Sequence, residues 1–333
     1  MNKEYVGHPL QVRGAEKLIM QGAKGEGMHF LYVRNGLGLE AWISIDRCAD
    51  ITRVTFKGDN INYTSPCGYV APAYYDSEGA GFLKSFTAGF FTTCGLTAVG
   101  SPCTDDGEVL PLHGTIGNTP AELNAVLEDE DGLTVIATIR DCRIFARKLV
   151  MKRTYRFSYK KNVFTVDDVV TNEGDTQSPY MVLYHCNFGY PLLDETSIVK
   201  VRNSGIEARD DFAQKHIATA LQMEKPQAEI PERCYYFDTL ARDGHVDSGI
   251  FNENISKGVI ISCDKDELPY LTEWKMMGKT DYVLGLEPGN CTPDGRDVLR
   301  QNGTLRFLEA GETKKTSVKF TFTEDKNFFE DVF

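Results

Sequence analysis

The run KTSVKFTFTED sets Val318, Phe320 and Phe322 on one side of an extended chain and Ser317, Lys319 and Thr321 on the other. That period of two belongs to a half-buried β-strand and has no helical counterpart. RKLVMKRTYRFSY repeats it, with Leu149, Met151, Tyr155, Phe157 and Tyr159 sharing a side that Arg153 interrupts. GLTVIATIRD and KNVFTVDDVVTNEG flank that run, and HFLYVRNGLGLEAWISIDRCADITRVTFKG reads as three strands near the N-terminus. Turn residues punctuate the pattern at Asn35-Gly36, Asp131-Gly132, Glu173-Gly174, Asn302-Gly303 and Gly311-Glu312. Strands of this kind must each hide one face, so they stack in layers.

Helical signals are few. Residues 76–90 and 207–223 each have room for one short helix, and Pro226 and Pro231 end any extension of the second. No repeat, low-complexity run or linker divides the 333 residues. The expectation is one all-β domain over 1–333: a large antiparallel β-sandwich with few short helices. Uneven strand lengths argue against a closed barrel.

A formal net charge of −12 disfavours nucleic acid and anionic lipid as partners, since both seek a basic surface. A small neutral or polar ligand suits it better. The opening MNKEYVGHPLQV has no apolar core of the export type, and no stretch nears the roughly 20 apolar residues of a membrane span. The nine cysteines are scattered, with no Cys-x-x-Cys pair. They read as free thiols of a reducing cytoplasm.

Three segments place a titratable group among apolar strand residues and then turn on Gly or Pro. They are LHGTIGNTPAE around His113, YHCNFGYPLLDE around His185, and YVLGLEPGNC around Glu287. Each residue has a plainer reading. His113 fits a surface loop, His185 a core histidine bonded to backbone, and Glu287 a structural ion pair with Arg296 or Lys275. Taken together, two imidazoles and a carboxylate form a general acid–base set.

LHGTIGNTPAE, YHCNFGYPLLDE and GLEPGNCTPDGR, in this order, resemble the galactose mutarotase-like (aldose 1-epimerase) superfamily. SIDRCADI at 44–51, FTTCGLTAVG at 91–100 and EWKMMG at 273–278 bring the chain closest to a mostly uncharacterised bacterial branch of it. The resemblance spans nearly the whole chain. It implies a β-supersandwich with an open carbohydrate cleft, a small-molecule sugar as partner, and no metal or other cofactor. It also implies roles: His113 holds the sugar, His185 protonates the ring oxygen, and Glu287 takes the anomeric hydroxyl proton. The sequence departs from the familiar pattern at Tyr184 and Cys186, where Asn and Thr usually flank the imidazole. It departs again at Pro288-Gly289-Asn290, where a Gln usually follows the Glu. Both departures bear on which sugar fits.

Negative Glu287 is expected to raise the His185 pKa and keep that ring protonated near neutrality. Further sugar-binding candidates are Arg47, Asp50, Asn118, Asn187, Trp274, Lys275 and Arg296. Arg47 and Asp50 interrupt an apolar strand and equally suit an internal ion pair. Lys275 and Arg296 suit an acidic or phosphorylated sugar, or a solvated face. Trp274 suits stacking on a pyranose, or the core. Asn187 shares a strand face with His185 and is a cleft residue or a structural amide. Three rival functions stand beside the epimerase: a sugar-binding module without chemistry, a sugar isomerase or lyase acting at a C–H bond, and a two-histidine, one-carboxylate metal site.

Overall fold

A five-stranded sheet near the N-terminus runs in chain order through Gly14–Ile19, His29–Arg34, Leu39–Ser44, Asp50–Phe56 and Asp59–Asn60. The three strands expected there lie at its centre. The computed structural model describes residues 4–333. An eight-stranded sheet takes the most regular alternations: Ala121–Glu128, Gly132–Cys142, Lys148–Ser158, Val163–Asn172, Thr313–Thr323, Lys257–Asp264, His245–Asn252 and Ile198–Val201, in that spatial order. Burial along Val163–Asn172 alternates residue by residue, as its sequence predicts.

The third sheet carries the site and has six strands: β1 (Phe91–Leu96), β2 (Met181–Phe188), β3 (Asn203–Ala208), β4 (Arg233–Thr239), β5 (Tyr270–Met277) and β6 (Tyr282–Gly289), in the spatial order β3-β4-β5-β6-β2-β1. Every pairing within the three large sheets is antiparallel. One apolar core runs through all three. Phe91 of β1 stacks on Phe320 of the eight-stranded sheet, with centroids 6.0 Å apart, and Phe56 of the first sheet meets Phe322 at 5.8 Å. Large rings at such crossings bury the most apolar area per residue ordered. This is the layered antiparallel β-sandwich the alternation predicts.

The helical expectations are corrected in detail. Residues 76–90 hold only a 3₁₀ turn at Gly81–Lys84, and 207–223 hold one α-turn, Asp211–Lys215, and a 3₁₀ turn, Ile217–Thr219. The glycines at 79, 81 and 89 weaken any longer helix in the first segment. Two unexpected short helices, Arg296–Gln301 and Lys326–Val332, close the C-terminal part. Among the described residues no helix is long and apolar enough to cross a membrane. All nine cysteines are unpaired.

Candidate active site

Register decides which side chains meet. The pairing of Leu183 with Gly289 and Cys186 with Leu286 sets His185 of β2 directly opposite Glu287 of β6. Thr92 lies on the other side of His185, and Thr272, then Tyr236, beyond Glu287. These five residues form one row across the outer face of the sheet. The next row holds Cys234, Trp274, Gly285 and Asn187. The residues between, such as Tyr184, Cys186 and Leu286, point into the core.

His185 Nε2 stands 3.2 Å from Glu287 Oε1. The contact is close but not aligned as a hydrogen bond, and Oε1 has no other partner. Thr272 Oγ1 is likewise buried and unpartnered. Asn187 orients the imidazole. Its Nδ2 donates to the His185 carbonyl (2.7 Å), which turns its Oδ1 toward His185 Nδ1 (2.7 Å). Nδ1 therefore carries a proton, and Nε2 is the nitrogen that faces Glu287.

His113 arrives from a loop over the sheet, its ring 5.4 Å from that of His185. Its Nδ1 accepts from the Gly100 amide (3.3 Å), so in the neutral ring Nε2 bears the proton. His113 itself has φ +59° and Gly114 φ +73°. A Cβ on Gly114 would lie 2.3 Å from the Gly95 carbonyl oxygen, so the His-Gly pair is what lets the loop approach this closely.

Burial governs the electrostatics. It pushes Glu287 well above the usual carboxylate range; Glu232 adds to that and Arg209 offsets it. Burial lowers His185 to about 4, against the opposing pull of its Asn187 contact. Burial, then the His185 and Arg209 charges, lowers His113 to about 3. The expected protonated His185 beside an ionised Glu287 is thus corrected: in the free protein both groups shift toward their neutral forms. Desolvation outweighs mutual attraction here because so little water reaches either group. His185 is 5 % and Glu287 2 % exposed. Phe86 covers them with its ring 5.2 Å from His185, and Phe82 lies 5.2 Å from His113. The open cleft implied by the resemblance is closed over His185 and Glu287.

The other sequence candidates divide. Trp274 lies in the site, 5.2 Å from His185 between ring centroids, with Nε1 donating to Glu232 (2.7 Å). Asn187 is a positioning amide. Lys275 follows Trp274 on β5 and so faces the other way. Its amine is buried and donates to the carbonyls of Thr219, Ala220 and Gln222. Arg296 is held by Asp105 (2.6 Å) and Glu108 (3.0 Å). Neither cation pairs with Glu287 or lies on a solvated face. Asp50 belongs to a buried network with Arg153 (2.5 Å) and Thr93 (2.6 Å), which corrects its reading as a sugar ligand. Arg47 donates to the Val70 carbonyl and borders a small void with Asp50. Asn118 is buried with both amide atoms unpartnered, in a turn whose Gly117 rests on Thr92 and Thr93.

Thr272, Gly285 and Phe86 were not singled out in the sequence. Two of them are legible in retrospect. Thr272 lies two residues before Trp274, and Gly285 two before Glu287, so each shares its neighbour's face. A Cβ on Gly285 would sit 2.5 Å from Glu287 Oε1; the carboxylate occupies the space that glycine leaves. Among the described residues, no group of three or more His, Cys, Asp and Glu side chains is arranged to hold a metal ion.

This sandwich, with two imidazoles and a carboxylate on one sheet face, has the galactose mutarotase-like architecture. A protein from Klebsiella pneumoniae named "putative aldose 1-epimerase" superposes with a TM-score of 0.89 at 26% identity, over 96% of this chain and 85% of its own. A galactose mutarotase-like protein from Clostridium acetobutylicum gives 0.68 at 16% identity, over 94% and 99%, which speaks to fold alone. Residues 25–322 match the family described as Domain of unknown function (DUF4432), and the chain belongs to that family. No curated protein matches it in sequence.

Proposed function

We propose that the protein interconverts the anomers of an aldose by acid–base ring opening and closure. The observation that carries this reading is the His185–Glu287 pair: close, buried, unaligned with each other, and one proton short of saturation. Mutarotation removes a proton from the anomeric hydroxyl O1 and adds one to the ring oxygen O5. The C1–O5 bond breaks as the C1=O double bond forms. Rotation about C1–C2 then presents the other face of the aldehyde, and closure reverses both transfers.

Such a reaction needs one acid and one base holding a single proton between them. Protonated Glu287 with neutral His185 and ionised Glu287 with protonated His185 contain the same number of protons. Ring opening converts one distribution into the other, and closure converts it back. With Glu287 as base and His185 as acid, opening of a cyclic sugar starts from ionised Glu287 and protonated His185. The neutral pair favoured by burial therefore first passes the Glu287 proton to His185, and it is the distribution from which closure proceeds. His113, kept neutral, donates through Nε2–H to a sugar oxygen. Thr272 Oγ1 supplies a further hydroxyl contact. Positioned acid and base groups contribute roughly 10²–10⁴-fold each. Phe86 has to swing aside to admit the ring.

The test uses freshly dissolved single anomers of several aldoses, followed by polarimetry and NMR against the spontaneous rate. Acceleration is expected, with loss of at least about 10²-fold in Glu287→Gln and His185→Asn and unchanged circular dichroism. Full activity in either variant refutes the assignment. Deuterium uptake from solvent at a C–H position would mark an isomerase instead.

A further inference from the structure

The hairpin that joins Gly132–Cys142 to Lys148–Ser158 turns through Arg143, Ile144, Phe145, Ala146 and Arg147. At its tip Phe145 is 96 % and Ile144 77 % exposed. Phe145 also has φ +59°, a conformation that suits Asn or Gly and costs a bulky residue. The turn does not need the ring, and the fold draws no packing from a ring left this exposed. Val109, 76 % exposed, stands beside the tip on a groove that both line. Arg143 and Lys148 flank the tip and are exposed; Arg143 has one loose contact, to Glu108 (3.8 Å). The tip is an apolar plug with a cationic collar. Clustered apolar surface of this kind marks a place of contact.

A surface of complementary character lies on the outer face of the site sheet. It is a hollow of about 470 Å³. Met276 and Val283, which pair across β5 and β6, form its floor. Leu83, Phe86 and Trp274 wall it, and the carboxylates of Asp281 and Glu232 stand exposed beside them. Pockets of roughly 300–1,000 Å³ take whole small ligands, so there is room for the Ile144 and Phe145 side chains. Acid beside the hollow meets base beside the plug.

Tip and hollow flank one segment of chain. Residues 77–79 share a groove with Arg143 and Arg147, and Leu83 and Phe86, a few residues on, wall the hollow. Both features therefore open on the same side of the molecule. Arg147 pins the hairpin to Asp141 (3.1 Å) and Glu108 (3.1 Å), so the exposed tip is held in place. A second copy turned about a two-fold axis brings each tip to the other's hollow, and both contacts close together.

We infer that the protein forms a two-fold dimer in which Ile144 and Phe145 of each copy enter the other copy's hollow beside Trp274, with Arg143 facing Asp281 across the seam. Phe86 is both a wall of that hollow and the cover of His185. The second copy's tip thus packs against the ring that closes the pair, and each site is completed by its neighbour.

The test is sedimentation of the full chain across the micromolar range, joined to acrylamide quenching of Trp274 in a Trp42→Phe background, which leaves one tryptophan. A dimer is expected. Phe145→Asn suits the turn and so spares the fold; it is expected to weaken association at least about tenfold, as loss of a central anchor does, and to raise quenching of Trp274. Phe145→Leu is expected to preserve both. Arg143→Glu and Asp281→Arg are each expected to weaken the dimer, and the double variant to recover it. A monomeric parent overturns the inference, as does a dimer indifferent to Phe145→Asn. A dimer that Phe145→Asn dissolves without a change in Trp274 quenching also overturns it, because the tip then seats elsewhere. A double variant no tighter than the singles overturns the Arg143–Asp281 seam. Anomer exchange decides none of these outcomes, so the epimerase reading stands or falls apart from them.

Discussion

Tyr184 and His185 are neighbours on β2, yet they belong to opposite kinds of polar cluster. Tyr184 points inward and donates to Asp168 (2.6 Å). Asp168 and Asp50 hold Arg153, whose guanidinium spends all five N–H groups: on both carboxylates, on Thr93, and on the Cys48 carbonyl. The network ties together all three sheets. His185 points outward to a carboxylate with one oxygen unpartnered, beside an unpartnered threonine hydroxyl. Both clusters are almost fully buried, so burial does not tell them apart. Saturation does: a network whose donors are all matched has nothing left to offer a ligand, whereas an unmatched buried group keeps its capacity for one.

The sharpest way to break this contrast is to cross the two clusters. Arg153→Met leaves two buried carboxylates without their cation and is expected to cost about 3–5 kcal/mol in urea unfolding. Glu287→Gln removes a group whose charged form is disfavoured by burial, so its stability is expected to stay within about 1 kcal/mol of the parent. If Arg153→Met unfolds no more easily than Glu287→Gln, saturation is no guide to structural role.

Much of the architecture was legible because strand alternation is a local signal. The saturated network was not, since its members are far apart in sequence: Arg153 lies 103 residues from Asp50. Arg153 was visible only as an interruption of an apolar face, and Asp50 as a polar residue in a strand. Nothing local says that the two interruptions cancel. The three residues His113, His185 and Glu287 were marked by their Gly and Pro neighbours, and the fold gathers them. Lys275 failed for a reason the sequence did contain, because adjacent strand residues face opposite ways and Trp274 had already taken the outer side. Arg296 failed because its helix begins at a site-side turn but folds back on Asp105.

Gly285→Ala sharpens the contrast with a smaller change. The added methyl meets the far end of the Glu287 side chain at 2.5 Å and the Trp274 Cβ at 3.1 Å, so the carboxylate is displaced outright while β5 has to yield only slightly. Loss of roughly 10–100-fold in anomer exchange is expected, as for a misplaced catalytic group, with thermal stability within about 1 kcal/mol. Equal losses of activity and stability would show that Gly285 serves the strand and not the carboxylate.

The smallest effect concerns a third cluster, which tests where the rule ends. Behind β5, Glu273 is buried with both carboxyl oxygens unpartnered, near Arg233 and Lys275. Burial lifts it to about 8, with both cations opposing. Folded Glu273 thus keeps a proton that the unfolded chain sheds near its ordinary value of 4.5. Between those values the folded protein binds more protons, so this residue lowers stability as pH rises. His113 and His185 act in the opposite sense, because their folded values lie below the ordinary 6.5. Their contribution is present above 6.5 and fades as pH falls through about 4 and 3. Glu287, also lifted by burial, acts in the same sense as Glu273, and Lys275, lowered by burial, acts against it. The Glu273 share is therefore read as the difference between two profiles. Across pH 6.5–8 the parent is expected to lose about 1–2 kcal/mol more stability than Glu273→Gln. A profile that keeps its slope in Glu273→Gln would mean that Arg233 and Lys275 hold Glu273 ionised, and the inward cluster would then rank with the saturated network around Arg153.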